Sequence, residues 1–333
     1  MLNFILQRLA RVLIILAGVE LLVFLLIHAV PGSPWDAKEG QALFTRSVDK
    51  ITLENRAQYY GLNLPLGRQF TRYLIGDFYE AGNFVCGVVC GNLGPSSRQS
   101  GRSVQDILFN APDGQSAWNS RFGYTVRLVV YAFSIVVGLG IPLGAASALR
   151  AQSSFDRGLS AFFTSLASIP IFVLGLLQIM IFASWLKWIK VLPDWSQPKY
   201  WILPTVLLTV APLASMIRLT RAAILNAMDG EYIRTARAKG LSRLTTLWKH
   251  VLPNALISIL TFLLPLFAEL LAASFIIEGI FGFPGFGREY WESIGRLDYT
   301  MIMGITFIYA CAITFPNLFL DTIHRLIDPR LRA

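Results

Sequence analysis

Side chains able to carry chemistry are few in this chain and widely spaced. Two carboxylates, Glu20 and Glu269, interrupt long apolar runs. An unpaired carboxylate in lipid is expensive, so such a residue faces a cavity, a partner or a counter-charge. Glu20 and Glu269 therefore either line a translocation path and meet a cationic group in transit, or pair structurally with a serine, an arginine or a neighbouring chain. The three histidines (His28, His250, His324) are scattered. The three cysteines (Cys86, Cys90, Cys311) have neither zinc nor disulfide-framework spacing, so no metal site is expected. Cys86 and Cys90 either close a local disulfide in an oxidising compartment or stand as two unpaired small residues. The sequence contains no GxxxxGK[ST], no HExxH and no GxSxG. The expectation is a chain that is not an enzyme and binds no cofactor itself. Any ATP it depends on must be held by another chain.

The most informative stretch is basic and rich in small residues. It runs Asp229-Gly230-Glu231-Tyr232-Ile233-Arg234-Thr235-Ala236-Arg237-Ala238-Lys239-Gly240-Leu241-Ser242 and reaches Leu252-Pro253. Asp229 is placed to cap a short helix, with Glu231 in the first turn, where the helix dipole favours negative charge. Ala236, Ala238 and Gly240 let another surface approach the backbone closely, and Arg234, Arg237 and Lys239 ring that contact with positive charge. On residue types alone, two readings stand: a docking helix, or an interfacial helix whose basic residues hold the loop on one side of a membrane.

The elements that must carry these residues are apolar helices. The 333 residues are 54% hydrophobic and 15% charged, whereas a soluble domain carries roughly 25% charge. The net charge of +9 does not point to nucleic acid, because most of the basic residues flank apolar runs. Val12–Val30 is long enough to cross a bilayer, and Pro31-Gly32-Ser33-Pro34 follows it rather than a cleavage pattern; this predicts a retained span in preference to a removed signal. Further apolar segments are Tyr124–Leu149, Leu159–Leu186 with Pro170 and Gly175, Trp201–Leu219, Ala255–Ile277 and Thr300–Leu320. An all-α polytopic membrane protein with about six transmembrane helices is predicted. Lysine and arginine are concentrated in one alternate set of connections, including seven between Arg218 and Lys249. By the positive-inside rule both termini are cytoplasmic and the long 31–123 segment is extracytoplasmic. The expected organisation is an N-terminal helix (1–30), an outer subdomain (31–123) and a five-helix core (124–333) with a cytoplasmic loop at about 222–254.

The basic loop resembles the "EAA" loop of ABC importer permeases, and RTARAKG is similar to its dipeptide/oligopeptide form. Arg234 and Thr235 stand where the general motif has Glu and Ala. Other fragments of this chain resemble the family in order: Gly18-Val19 through Phe24-Leu25-Leu26 to Pro31-Gly32-Ser33-Pro34, Tyr60-Gly61-Leu62 with Pro65-Leu66, Gly91-Asn92-Leu93-Gly94, Gly140-Ile141-Pro142-Leu143-Gly144, Glu278-Gly279-Ile280-Phe281-Gly282-Phe283-Pro284-Gly285-Phe286-Gly287, Asp298-Tyr299, and Asp328-Pro329-Arg330-Leu331-Arg332. The resemblance implies a type I importer permease fold in a prokaryotic inner membrane. Its expected partners are a second homologous permease, two cytosolic ATPase subunits that hold ATP and Mg2+, and an extracytoplasmic binding protein, with peptides as the cargo. Glu231, Tyr232, Arg234–Gly240 and Leu252-Pro253 would form the ATPase-coupling loop. Glu278, Phe281, Pro284, Gly285 and Gly287 would form an extracytoplasmic re-entrant hairpin packed against protein. There Glu278 either accepts hydrogen bonds from the turn's amides or contacts substrate. Two rivals remain: an ion-coupled secondary transporter using Glu20 and Glu269 as proton carriers, and an intramembrane enzyme, for which no nucleophile, base or ligand set is visible.

Overall fold

Lipid offers no partner to a backbone amide, so an apolar run of bilayer length satisfies its own hydrogen bonds by becoming a helix. The computed structural model describes residues 2–29, 61, 63–78, 84–99, 101–112, 115–190 and 193–327. The sequence motifs at 31–34 and 328–332 lie outside them. Among the described residues, five helical segments are long and apolar enough to span a membrane: Leu6–Ala29, Arg121–Leu149, Pro198–Met228, Leu247–Phe281 and Tyr299–Leu318. A sixth span is counted if the pair Ser154–Ala167 and Ile171–Trp185, bent by 89°, is taken as one. The sequence run Leu159–Leu186 is thus not a straight helix. Pro170 has no amide to donate and disfavours helical geometry in the residue before it, so the chain turns there.

By internal contacts the chain divides into two units, Met1–Gly123 with Arg288–Cys311, and Tyr124–Gly287 with Ala312–Ala333. In the first unit, α1 (Leu2–Ala29) buries a stripe at four-residue spacing, Val12, Leu16, Glu20 and Phe24, and leaves Leu21, Leu22, Leu25 and Leu26 exposed. Beyond it come α2 (Leu66–Leu74) and a two-stranded antiparallel hairpin of β1 (Gly76–Phe78) and β2 (Phe84–Cys86), in which Asp77 pairs with Val85. Cys86 and Cys90 are joined by a disulfide. A short α3 (Val104–Phe109) follows, capped by the Ser103 side chain. Asp298 ties this subdomain to the start of the last long helix. It accepts from Ser96 Oγ at 2.5 Å, from the Ser97 amide at 3.2 Å and hydroxyl at 3.0 Å, and from the Met301 amide at 3.2 Å.

In the second unit, α4 (Arg121–Leu149), α5 (Ser154–Ala167), α6 (Ile171–Ile179), α7 (Ile202–Met228) and α10 (Leu252–Phe281) supply the core. Its centre is Leu128, Val129, Ala132 and Val136 on α4, Leu207, Met216 and Ile217 on α7, and Leu266, Leu270 and Ile277 on α10. Gly140 and Gly144 set the approach of α4 to α7: a Cβ at Gly144 would lie 2.7 Å from the Ile217 carbonyl oxygen, and one at Gly140 2.5 Å from Met216 Cγ. Small residues four apart permit such contact between membrane helices. Near Leu149, Asp156 on α5 is buried and fully engaged. It accepts from Ser147 Oγ at 2.5 Å, from the Gln152 amide at 2.9 Å, and from Arg221 Nε and Nη2 at 2.8 Å each. Three helices are stapled there by one carboxylate.

Between α7 and α10 lie α8 (Glu231–Ala238), the single turn α9 (Arg243–Thr246) and a π-helical turn at Leu247–Val251. The wide turn lets the Leu252 amide reach the Leu247 carbonyl immediately before Pro253, which has no amide to offer. At the far end of α10, Gly282 (φ 60°) closes the helix in the left-handed conformation, and the Phe283 amide returns to the Glu278 carbonyl at 2.9 Å. The chain then turns into α11 (Phe286–Arg296) and the long α12 (Tyr299–Ile327).

Candidate functional site

Helix α8 is anchored by three side chains. Ile233 and Ala236 are buried with Ala148, Ile224, Ala227, Val251 and Ala255 in a cluster separate from the main core. Tyr232 donates its hydroxyl to the Ala227 carbonyl at 3.0 Å. Glu231, Tyr232, Arg234, Thr235, Ala238, Lys239 and Gly240 are exposed. The sequence grouped Ala236 with Ala238 and Gly240 as open to a partner's approach. Ala236 instead faces inward at 4% exposure, where its small size fits α8 to the cluster. Gly240 stands at φ 78° with open space around it, so a left-handed turn fixes its type rather than crowding. The Arg237 side chain lies outside the described residues.

Asp229 does not cap α8 as its residue type suggested. It ends α7 in helical geometry, its amide returning to the Leu225 carbonyl, and Gly230 supplies the carbonyl that receives the Ile233 amide at 2.9 Å. A Cβ at residue 230 would meet the Tyr232 ring, so a larger residue there requires that exposed ring to move. Leu252 is partly buried and Pro253 exposed at the start of α10.

The hairpin after α10 is organised around Glu278, which is fully buried. Its Oε2 accepts from the Gly287 amide at 2.6 Å, and the Phe286 amide donates to Thr125 Oγ1 at 3.0 Å. A Cβ on Gly285 would fall on Glu278 Oε2 and Thr125 Oγ1, and one on Gly287 would lie 2.5 Å from the Phe275 carbonyl oxygen. Phe283, wholly buried, meets Trp195 at 4.7 Å and Trp201 at 4.8 Å in edge-to-face contacts. Phe281 is buried in the same core and Pro284 is partly exposed. Arg127, the cation within the α4 apolar run, stacks its guanidinium over Tyr124 at 4.6 Å and Trp201 at 4.8 Å.

Glu20 and Glu269 differ in their surroundings. Glu20 is completely covered within the first unit, and neither carboxyl oxygen has a hydrogen-bond partner among the described residues. Glu269 is exposed on α10, partway along an apolar span. Outside the spans, burial pushes the Glu289 carboxyl above its ordinary value, with Arg121 at 2.5 Å pulling the other way. A hydrogen bond from Arg68 holds Asp77 below its usual range. No cluster of His, Cys, Asp and Glu able to hold a metal occurs among the described residues.

A polytopic helical chain, with a short basic helix tethered between two spans and a glycine-rich hairpin closed on a buried carboxylate, has the build of a membrane permease. Residues 140–333 match the model of the binding-protein-dependent transport system inner membrane component, and residues 1–113 match the model of its N-terminal region. The chain is 34% identical to the dipeptide transport system permease protein DppB of Bacillus subtilis, over 93% of this chain and 92% of that one. It is 30% identical to the oligopeptide transport system permease protein OppB of Haemophilus influenzae over the full length of both, and 30% identical to OppB of Escherichia coli K12, again over both full lengths. The chain belongs to the family of binding-protein-dependent transport system inner membrane components, the permeases of ABC importers.

Proposed function

We propose that this chain is one of two permease subunits in an ATP-driven importer of dipeptides or oligopeptides, and that α8 is the lever coupling it to the ATPases. The observation that carries the coupling role is the division of α8 into two faces. Ile233 and Ala236 tie it to the ends of α4, α7 and α10, while Tyr232, Arg234, Thr235, Ala238 and Lys239 remain open to a partner. A helix held this way passes a push on its open face directly to three spans. ATP and Mg2+ sit on the partner chains, and both termini of this chain lie in the cytoplasm. A second, homologous permease completes the path, and an extracytoplasmic binding protein delivers the peptide. The peptide cargo is supported by the relatives that match along the whole chain.

Replacing Ala238 and Lys239 together by glutamate tests the docking face. Both side chains are exposed, so the chain should purify with unchanged thermal stability. Placing like charge and bulk in a close interface should lower recovery of co-purifying ATPase chains at least about tenfold. Unchanged ATPase recovery would exclude α8 as the docking element.

Within this reading Glu269 lines the path, because an exposed carboxylate partway along an apolar span needs water or a partner rather than lipid. Glu269→Gln should change uptake in reconstituted vesicles several-fold while the yield of assembled complex stays the same. A collapse of assembly would assign Glu269 to the contact with the partner permease instead. Glu20, covered by its own chain, is the weaker of the two for contact with cargo.

A further inference from the structure

In the second unit, the segment between α6 and α7 carries aromatic and basic surface that the transport reading leaves unused. Helix α6 continues through a π-helical turn, Met180–Trp185, and leads into Leu186-Lys187-Trp188-Ile189-Lys190. This is the end of the core opposite α8: the segment leads on to Trp201 at the start of α7, whereas α8 follows Met228 at its end. Trp185, Leu186 and Trp188 are 72%, 62% and 50% exposed. Lys187 and Lys190 are exposed among them. On the turns before, exposed Leu176 and Met180, four residues apart, continue the apolar surface along the span.

The backbone of this segment is pinned. The Leu186 amide donates to the Ile181 carbonyl at 2.8 Å, and the Trp188 and Ile189 amides both return to the Phe182 carbonyl, at 2.8 and 3.3 Å. Ile189 is buried in the main core, and the Trp188 ring packs on Phe182 with centroids 5.5 Å apart. Between these anchors Lys187 stands at φ 50°, a left-handed conformation that a residue with a Cβ rarely adopts. Such strain persists only where the surroundings impose it, and it clusters where ligands are held. No hydrogen bond or ion pair holds the Lys187 ammonium among the described residues. Lys190 feels the Asp194 carboxylate, which already accepts from the Ser196 hydroxyl at 2.7 Å, the Ser196 amide at 3.1 Å and the Gln197 side chain at 2.9 Å.

A tryptophan at the end of an apolar span sits at headgroup level, because its ring is apolar and its N–H is polar. A lysine there keeps its stem in the apolar layer and its ammonium among the phosphates. Exposed tryptophans alone fit any phospholipid, so the selection comes from the charges. Residues 185–190 hold two cations and no acid, which complements an anionic headgroup. We propose that Trp185–Lys190 is a docking surface for anionic phospholipid. Lys187 and Lys190 meet the headgroup phosphate, and Trp185, Leu186 and Trp188 lie against the glycerol and the upper acyl chains. The surface is independent of which cargo the permease carries.

The test is photo-crosslinking of the purified complex in phosphatidylcholine vesicles. These carry a small, equal fraction of either phosphatidylglycerol or phosphatidylcholine with a photoreactive group near the headgroup, and adducts are mapped by mass spectrometry of peptides. Adducts on residues 184–190 should be at least about fivefold more abundant with phosphatidylglycerol. Lys187→Gln combined with Lys190→Gln should bring the two lipids to parity there. Adducts on the exposed face of α1 and the melting temperature should not change, since both lysines are exposed. Trp185→Ala should lower adducts of both lipids alike. Inorganic phosphate added at matched ionic strength should leave the preference intact. The proposal is overturned if wild type labels equally with both lipids, if the preference survives in the double lysine variant, or if phosphate abolishes it, which would mark a site for free anions. Labelling of α1 with none on 184–190 would also overturn it, by showing that another chain of the complex covers the segment.

Discussion

Asp156→Ala should be among the most damaging single substitutions in the second unit, lowering its stability by about 3–5 kcal/mol, the range for breaking a buried ion pair from one side. The alanine leaves Arg221 without its bidentate partner and strips Ser147 Oγ and the Gln152 amide of their acceptor. Asp156→Asn preserves the shape but removes the charge, and should recover only part of the loss. Because Arg221 and Asp156 act as a unit, Asp156→Ala combined with Arg221→Ala should be much less damaging than the sum of the single changes. Thermal unfolding of the purified protein in mild detergent reads all four variants. Strict additivity would show that the pair is not coupled.

A comparable effect is expected at the hairpin. Gly285→Ala drives a methyl group onto Glu278 Oε2 and Thr125 Oγ1, and Gly287→Ala drives one onto the Phe275 backbone. Each clash meets buried, hydrogen-bonded atoms that have nowhere to relax, so each should cost about 2–3 kcal/mol. Gly295→Ala is the control. That glycine lies in α11 with nothing within 4 Å of its Cβ position, and alanine there should be neutral or gain about 0.5–1 kcal/mol in helix propensity. A melting temperature that falls for the two hairpin variants and holds for Gly295→Ala separates crowding from a general intolerance of alanine. Equal behaviour of all three would remove the steric argument.

Much of this architecture was legible in the sequence because lipid imposes a simple rule on long apolar runs. Run length locates the spans, although the helices read as Trp201–Leu219 and Ala255–Ile277 extend to Met228 and Phe281, and the hairpin is legible through its resemblance to the family. The break at Pro170 was visible as a residue but not as an 89° bend, since a proline in a membrane helix can be absorbed or can turn the chain depending on what packs beside it. Pro142, Pro212, Pro265 and Pro316 lie within helices that continue through them. The face of α8 could not be read, because eight residues with alternating small and basic types define no clear apolar side. Burial of Ala236 follows from Ala148 and Ala255, far away in sequence. The same limit hid the Asp156–Arg221 pair, 65 residues apart, and the bonds from Ser96 and Ser97 to Asp298, about 200 residues on. Cys86 and Cys90 were ambiguous by spacing and are joined in the structure, where β2 and the turn after it bring their Cα atoms to 5.9 Å.

The π-helical turn at Leu247–Val251 also acts as a rotational register. Each residue of an α-helix advances the chain by about 100° around the axis, and a π turn holds one residue more than an α turn. The direction in which α9 faces relative to α10 is therefore set by that one surplus residue. Deleting a residue there would leave the composition of α8 intact while swinging the azimuth of α9 by about 100° relative to α10. An indel in this five-residue stretch would thus re-aim α9 without altering the composition of the basic stretch before it.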